Sequence, residues 1–568
     1  MLRGIPVSEG IGIGKVFIIG DQEVSYEDHI VEDAGAEKKR FHDAVDEFCR
    51  RNSLLAEKMT GKVDDKEIDI IKGHEIMLRD PFLISQTEEK IDGGMCAEAA
   101  CSEVMDMFIS MFSAADDELT KQRAADIEDI RTRVLRILAG VEEVDLSEIP
   151  ADSIVVMDEL TPSITAELDR NNVNGIITEK GGMTSHSAIL ARAMEIPAVL
   201  SVENALSVLK EGSEVIVDGS EGTVTAEPDQ EELQLWHDRQ KSFREEQKML
   251  ENYKDRESLT ADGIRKEVFC NIGSIRDAVT AVQKHGEGIG LFRTEFIFME
   301  RDSAPDEDTQ FEIYRKAAEL FGDRGVIIRT LDAGGDKGIG YLGMAREDNP
   351  FLGFRAIRYC LAHEDVFRTQ LRAILRASAF GSIRIMIPLV TEVAEMRSVR
   401  ALTEDIKNEL RSEGKAFDED IKIGAMIETP AACMTADMLA GECDFFSIGT
   451  NDLTQYTMAA DRGNKQVGYL NDVFEPAVLR AVRYIIKCAG DAGIPVGMCG
   501  EAAADPRLTP LLISFGLDEF SVSPSSVLRT RYNISLWTRD KADKIAAAVM
   551  DMTSADEIKA YLTSSQNR

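Results

Sequence analysis

Between residues 33 and 140 apolar positions recur at helical spacing, as in Phe41, Val45 and Phe48, and in Ile127, Ile130, Val134 and Leu135. β-branched runs are rare there and Gly-Pro punctuation is almost absent, so the stretch predicts a helical bundle. The pattern differs on either side. A glycine-rich start leads into a strand over 11–19. From 152 to 226, short apolar runs at 154–157, 175–178, 198–200 and 215–217 are separated by turn residues. One helix fits between the second run and the third. This predicts a small α/β domain. The N-terminal strand would complete its sheet and make the bundle an insertion.

Residues 229 to 256 are strongly charged, with Leu233, Trp236, Phe243 and Leu250 as sparse apolar positions. A linker helix over this stretch would span about 42 Å at 1.5 Å per residue. From 265 onward apolar strands alternate with helical patterns. Strands are predicted at 268–272, 288–292, 326–331, 383–388, 423–427, 445–448, 495–498 and 519–522. Eight such β/α units predict a closed (β/α)8 barrel of the TIM type. The domain plan is therefore 1–20 with 145–228 for the α/β domain, 21–144 for the helical subdomain, 229–260 for the linker helix and 261–568 for the barrel.

Charge narrows the function classes. The 568 residues hold 65 Lys and Arg against 102 Asp and Glu, a net charge of −37. Such a field disfavours nucleic acid and anionic membrane and attracts a basic protein partner. No apolar run approaches the roughly 18 residues of a membrane span. Residues 1–6 lack the apolar core of a signal peptide. Nine cysteines are scattered without Cys-x-x-Cys spacing, against a disulfide framework or a zinc ribbon. They predict a reducing, cytoplasmic setting.

Two places carry candidate chemistry. In the first, a strand ends in Gly181-Gly182 and a helix begins near Thr184 and Ser185, both good N-caps. His186 would then sit in the first helical turn, where free N–H groups and the helix dipole favour an anion. A neutral imidazole is a competent nucleophile, and a phosphate on it would suit the site. A histidine that merely caps or packs the helix is the alternative. Metal ligation is disfavoured, since no second His or Cys lies at ligand spacing.

The second place is the carboxyl ends of the barrel strands. Arg293-Thr294-Glu295, Arg329-Thr330-Leu331-Asp332, Glu428, Asn451-Asp452 and Cys499-Gly500-Glu501 fall there, with Arg355, Arg358 and Arg462 nearby. Converging arginines bind phosphate and carboxylate bidentately. Glu428 and Asp452 are hard oxygen donors suited to Mg²⁺. The thiol of Cys499 could move a proton. A small dianion with a divalent metal is the economical reading. A ring of salt bridges holding the mouth is the alternative, and Cys499 alone could be a small buried hydrophobe.

Two long motifs resemble a known family. Gly181-Gly182-Met183-Thr184-Ser185-His186-Ser187-Ala188-Ile189-Leu190-Ala191-Arg192 is similar to the phosphohistidine signature of the phosphoenolpyruvate-utilising enzymes. Asp444-Phe445-Phe446-Ser447-Ile448-Gly449-Thr450-Asn451-Asp452-Leu453-Thr454-Gln455-Tyr456 is similar to their barrel signature. The domain order, the opening 4–14 and the stretch 123–130 resemble the enzyme I group of the bacterial sugar phosphotransferase system. The resemblance runs over nearly the whole chain.

The resemblance implies roles residue by residue. His186 would take the phosphoryl group of phosphoenolpyruvate and pass it to a histidine of the phosphocarrier protein HPr, releasing pyruvate. Thr165 would hydrogen-bond its ring. Arg293, Arg329, Arg355, Arg462 and Asn451 would bind phosphoenolpyruvate. Asp452 would contact substrate and, with Glu428, hold Mg²⁺. Cys499 would protonate the enolate. The helical insertion would dock HPr around residues 66–84, and the barrel would form a homodimer. One histidine serving two distant partners requires the α/β domain to swing, with the linker helix as hinge. A dikinase of the same family would begin with a nucleotide-binding domain, and no Gly-rich nucleotide loop is visible. A non-catalytic relative would be free to lose His186, Glu428, Asp452 and Cys499. A barrel lyase would need no His186.

Overall fold

The structure, a computed structural model, describes the chain except for residues 20–25, 27–28, 60–64, 114–117, 141–145, 147–148, 161–163, 166–167, 170, 183–187, 189–190, 192–193, 195, 300, 302, 335–338, 346, 465 and 567–568. The chain forms two compact units, Met1–Glu246 and Gln247–Arg568.

In the first unit eight strands form one sheet: β1 (Leu2–Arg3), β2 (Ile5–Ser8), β3 (Ile11–Ile19), β4 (Ser153–Met157), β5 (Val173–Thr178), β6 (Ala198–Leu200), β7 (Glu214–Asp218) and β8 (Thr223–Ala226). Their order is β1-β8-β7-β3-β4-β5-β6-β2. Strands β3 to β6 run parallel, and β7 joins β3 antiparallel. The two faces feed separate cores. Val155, Met157 and Ile176 pack on one side, and Ile154, Val156 and Ile177 on the other. A sheet covered on both faces reads as continuous apolar runs, which is why β4 and β5 stand out in the sequence. Three strands escape that pattern. β1 has two residues, β8 alternates threonine with apolar residues, and β2 contains Pro6. Proline is tolerated in β2 because the strand lies at the end of the sheet order.

Close packing fixes the register of β3. A methyl on Gly14 would run into the backbone oxygen of Asp152, and one on Gly12 into that of Asn174. Backbone cannot yield as a flexible side chain can. The variant Gly14→Ala is expected to lose about 2–3 kcal/mol of stability. Urea unfolding followed by circular dichroism measures it.

Between β3 and β4 lie α1 (Ala34–Met59), α2 (Asp65–Leu78), α3 (Pro81–Asp92), α4 (Ala97–Ser113) and α5 (Glu118–Ala139). Phe41, Val45, Phe48, Ile127, Ile130, Val134 and Leu135 line their common core. Asp80 caps α3, accepting from the N–H groups of Phe82 and Leu83, with Pro81 at the first helical position. The linker segment is helical as α6 (Gln230–Glu251), 22 residues long and so about 33 Å. It ends five residues before the charged stretch does, and charge pattern alone carried no stop signal at Glu251.

The second unit closes eight parallel strands into a barrel: β9 (Glu267–Ile272), β10 (Ile289–Arg293), β11 (Val326–Arg329), β12 (Ile383–Ile387), β13 (Lys422–Ile427), β14 (Phe446–Ile448), β15 (Val496–Met498) and β16 (Glu519–Val522), with β16 pairing β9. Helices surround it and share one large apolar core with the outward faces of the strands. Inside, Leu291, Ile327, Met386, Met426, Phe445 and Cys499 form a separate small cluster. The mixed α/β class and the barrel agree with the sequence. No helix among the described residues is long and apolar enough to cross a membrane.

Candidate active site at the barrel mouth

Parallel strands deliver their last residues to one rim. Arg293 ends β10 and Arg329 ends β11. Glu428 follows β13, and Cys499 follows β15. Asn451 and Asp452 open the helix Thr450–Met458 just after β14. Arg355 follows the short turn Pro350–Leu352, and the next residue, Ala356, adopts a φ of 52°.

These side chains form a chain of alternating charge. Glu295 accepts from Arg329 Nη2 at 2.6 Å, and Arg329 Nη1 lies 3.1 Å from Asp332. Asp332 accepts from Arg355 Nη2 at 2.7 Å. Arg355 lies 3.9 Å from Asp452, and Asp452 lies 3.3 Å from Arg462. Arg355 is 1 % exposed, and Glu295, Arg329 and Asp332 are also buried. Burial works against the charge of Arg329, yet Glu295, Asp332 and Glu428 together raise its pKa. Burial opposes Arg355 in the same way, and Asp332 and Asp452 overcome it. Both guanidiniums therefore stay cationic in the interior, where a charge acts with little screening. The Nε atoms of Arg329 and Arg355 have no protein partner among the described residues.

The remaining rim residues are more open. Arg293 is exposed, with its guanidinium 5.1 Å from the ring centre of Phe296. Arg462 is half-buried over Phe351, and Asn451 is exposed. Asn451 and Arg462 line a cavity of about 900 Å³ together with Thr454, Phe474 and Arg507. Arg358 instead donates to the carbonyls of Leu352 and Gly353, a role in holding the loop.

Glu428 is 2 % exposed and accepts the N–H of Leu389 at 2.6 Å. Burial, then the charges of Asp452 and Asp332, push its carboxyl up to about 8, against the pull of Arg329 and Arg355. A carboxyl held this high among other carboxylates would be relieved by a cation. No group of three or more His, Cys, Asp or Glu forms a ready cage among the described residues. Two carboxylates suffice for a hard divalent ion that completes its shell with substrate oxygens and water. The donor set therefore fits a metal ion shared with substrate.

Cys499 lies in the barrel's inner cluster, its Sγ 3.7 Å from the carbonyl oxygen of Ile448. Burial pushes its thiol up to about 12, with Ser447 counteracting and Glu428 adding to the rise. The thiol is protonated at neutral pH, the state an acid needs.

Thr165 is half-buried beside Ile164. His186 lies outside the described residues, as do Gly335, Asp336 and Lys337 of the loop after β11. The role of Asp332 was missed, although it was legible as a rim residue. Lying three residues after Arg329, it bridges the two arginines to which the resemblance assigns substrate binding. Tyr456 was also missed. Its hydroxyl donates to the Phe351 carbonyl at 2.5 Å and accepts from Arg355 at 3.4 Å, and nothing in its spacing marked that role.

Three family profiles match the chain: the PEP-utilising enzyme N-terminal domain over residues 3–123, the mobile domain over 149–222 and the PEP-binding domain over 247–538. The chain is 42% identical over 558 residues to a phosphoenolpyruvate-protein phosphotransferase of Listeria monocytogenes, covering 98% of each. It is 40% identical over 562 residues to that of Bacillus subtilis, covering 99% of each. To that of Staphylococcus aureus it is 39% identical over 560 residues, covering 98% of each. With the barrel, its charged mouth and likeness along the full length in agreement, the chain belongs to the phosphoenolpyruvate-protein phosphotransferases, within the PEP-utilising enzymes.

Proposed function

We infer that this chain transfers the phosphoryl group of phosphoenolpyruvate to His186 and then to a histidine of the phosphocarrier protein HPr, releasing pyruvate as the first general step of the sugar phosphotransferase system. The observation that carries the substrate reading is the pair of buried, charged arginines at the mouth, Arg329 and Arg355, each with an Nε that has no protein partner among the described residues.

Arg329 and Arg355 supply fixed positive charge, and Arg293, Arg462 and Asn451 close on the substrate from the open side. Their field stabilises charge on the transferring phosphoryl group, so catalysis is mostly positioning and electrostatics. Glu428 and Asp452 would hold a divalent ion, Mg²⁺ by its preference for oxygen. When bound, that ion neutralises phosphate and carboxylate charge. His186 attacks with its Nε2, and Thr165 holds the ring. Cys499 gives its proton to the leaving enolate, which becomes pyruvate.

The α/β domain of 1–20 with 145–228 carries the histidine, 21–144 receives the carrier around residues 66–84, 229–260 links, and 261–568 binds substrate and forms the homodimer. The same imidazole meets donor and acceptor in turn, so its domain alternates between them about the ends of α6. The net charge of −37 favours capture of a basic carrier. The setting is the cytoplasm, where phosphoenolpyruvate is available.

The test is a mixture of the purified protein, Mg²⁺, labelled phosphoenolpyruvate and HPr. Acid-labile label should appear on the protein first and on the carrier second, with pyruvate released in step. Label that reaches the protein and goes no further would remove the carrier from this account. Absence of any label would remove the activity.

A further inference from the structure

The helix Thr450–Met458 carries Asn451 and Asp452 in its first turn, and Gln455 and Tyr456 follow each of them by four residues. Residues at that spacing share a helix face. Both of the later pair reach an arginine of the mouth. Gln455 is buried and accepts the N–H of Arg462 at 3.0 Å. The chain turns back to make that bond because the helix ends on Ala459, whose φ is 51°. Tyr456 is half-buried. Its hydroxyl accepts from Arg355 Nη1 at 3.4 Å and donates to the Phe351 carbonyl at 2.5 Å.

Phe351 is where these contacts meet. The guanidinium carbon of Arg355 lies 5.9 Å from its ring centre, and that of Arg462 lies 5.4 Å from it. A ring at this distance attracts a cation. Asp452 also serves both arginines, at 3.9 Å from Arg355 and 3.3 Å from Arg462. One ring and one carboxylate thus hold together two cations that repel each other.

The ring is only as fixed as its loop. Arg358 donates to the Leu352 and Gly353 carbonyls, and Glu347 accepts the Phe354 N–H through its two oxygens at 3.0 Å and 3.1 Å. These bonds brace the loop on itself. The Tyr456 hydroxyl ties it to the helix that carries Asn451 and Asp452. Burial pushes that hydroxyl up to about 12, with Arg355 counteracting. It therefore keeps its proton at neutral pH and remains a donor to Phe351.

We propose that Tyr456 is a positioning residue for the substrate: through the Phe351 carbonyl it fixes the Phe351 ring, and through the ring it sets the separation of Arg355 and Arg462. This rests on the reading of those two arginines as binding phosphoenolpyruvate. A substrate with a phosphate and a carboxylate on one small frame has to meet its cations at a set spacing, and a spacing fixed before binding costs nothing to arrange. Without the hydroxyl the loop keeps its own bonds to Arg358 and Glu347 but loses its tie to the helix. The ring then drifts, and the two guanidiniums drift with it. Tyr456 acts through the arginines rather than on the reacting atoms.

The experiment compares wild type, Tyr456→Phe, Phe351→Leu and the double variant in the full chain, with Mg²⁺, phosphoenolpyruvate and HPr. Pyruvate release gives kcat and KM, and thermal melting reports the fold. Tyr456→Phe should raise KM for phosphoenolpyruvate about 10-fold and leave kcat within about threefold, the split expected when binding common to ground and transition states is lost. Phe351→Leu should move KM in the same direction. The double variant should be no more than about twofold worse than the worse single one, because both substitutions break the same device. A Tyr456→Phe KM within about twofold of wild type overturns the proposal, and a lowered melting temperature beside it would leave the tyrosine a structural role only. Effects on KM that multiply in the double variant overturn it as well. Arg462→Ala runs in parallel. If its KM is that of wild type, the reading of Arg462 as a substrate ligand fails, and the proposal with it. If its KM rises while Tyr456→Phe is normal, only the role of Tyr456 fails.

Discussion

In the His186→Ala variant, phosphoenolpyruvate is expected to leave no acid-labile phosphate on the protein, and phosphorylation of the carrier should stop. The loss should be on the order of 10⁶-fold, the scale of removing a nucleophile. The reason lies partly in the other histidines. The chain has seven, and several of the rest are occupied. His42 bonds Glu88 at 2.7 Å, and His74 is buried between Asp126 and Asp129. His363 stacks on Tyr359 with ring centres 4.0 Å apart. None of these follows a Gly-Gly turn among small residues that leave a ring open to a bulky partner. The barrel lacks His186 altogether, so the variant should keep its affinity for phosphoenolpyruvate and its melting temperature. Labelled substrate followed by acid treatment separates the outcomes. Acid-labile label persisting on the variant would assign the nucleophile to another residue.

The second large effect concerns a residue that need not touch substrate. Asp332→Ala removes the carboxylate shared by Arg329 at 3.1 Å and Arg355 at 2.7 Å. Arg329 keeps Glu295, but Arg355 is left with Asp452 at 3.9 Å as its nearest carboxylate among the described residues. Breaking a buried ion pair from one side costs about 3–5 kcal/mol, because a desolvated charge stays behind. For a domain of this size that corresponds to a fall of roughly 10 °C in melting temperature. Substrate affinity should collapse with it, since the two arginines lose their fixed positions. Asp332→Asn keeps the hydrogen-bonding shape without the charge and should fall between the two. Differential scanning calorimetry and phosphoenolpyruvate titration measure both effects. A shift of the melting temperature below about 2 °C would mean that Asp332 does not hold the mouth together.

The barrel was legible because its strands are buried on both sides, so apolar runs such as 288–292 and 423–427 stand out from polar turns. The rim residues were legible for a related reason: a charge directly after a buried run can only mark a strand end. The ion-pair network of the mouth was not. Sequence shows Arg329 and Arg355 as separate cations, and only the fold brings Asp332 between them. Glu519 was read as the first residue of an apolar strand. Its burial depends on Gly290 and Gly497 from other strands, which no local pattern links to it. In the first unit, β2 was lost to Pro6 and β8 to its threonines, both tolerated because these strands lie toward the ends of the sheet order. Residue spacing could not find the end of α6 either, since the charge pattern continues past Glu251.

The parallel pairing of β3 with β4 across the five-helix insertion also bears on how the chain is made. A ribosome releases β3 long before its partners β4 and β7 exist. From Ile19 to Ser153 the nascent strand has nothing in the sheet to pair with. The inserted helices pack on one another within residues 34–139, all made before β4, so they can settle while translation continues. The central sheet has to wait for its distant strands, and β3 stays exposed to other chains in that interval. Ribosomes stalled before Ser153 should therefore carry a protease-resistant helical bundle and an N-terminal segment that chaperones still bind.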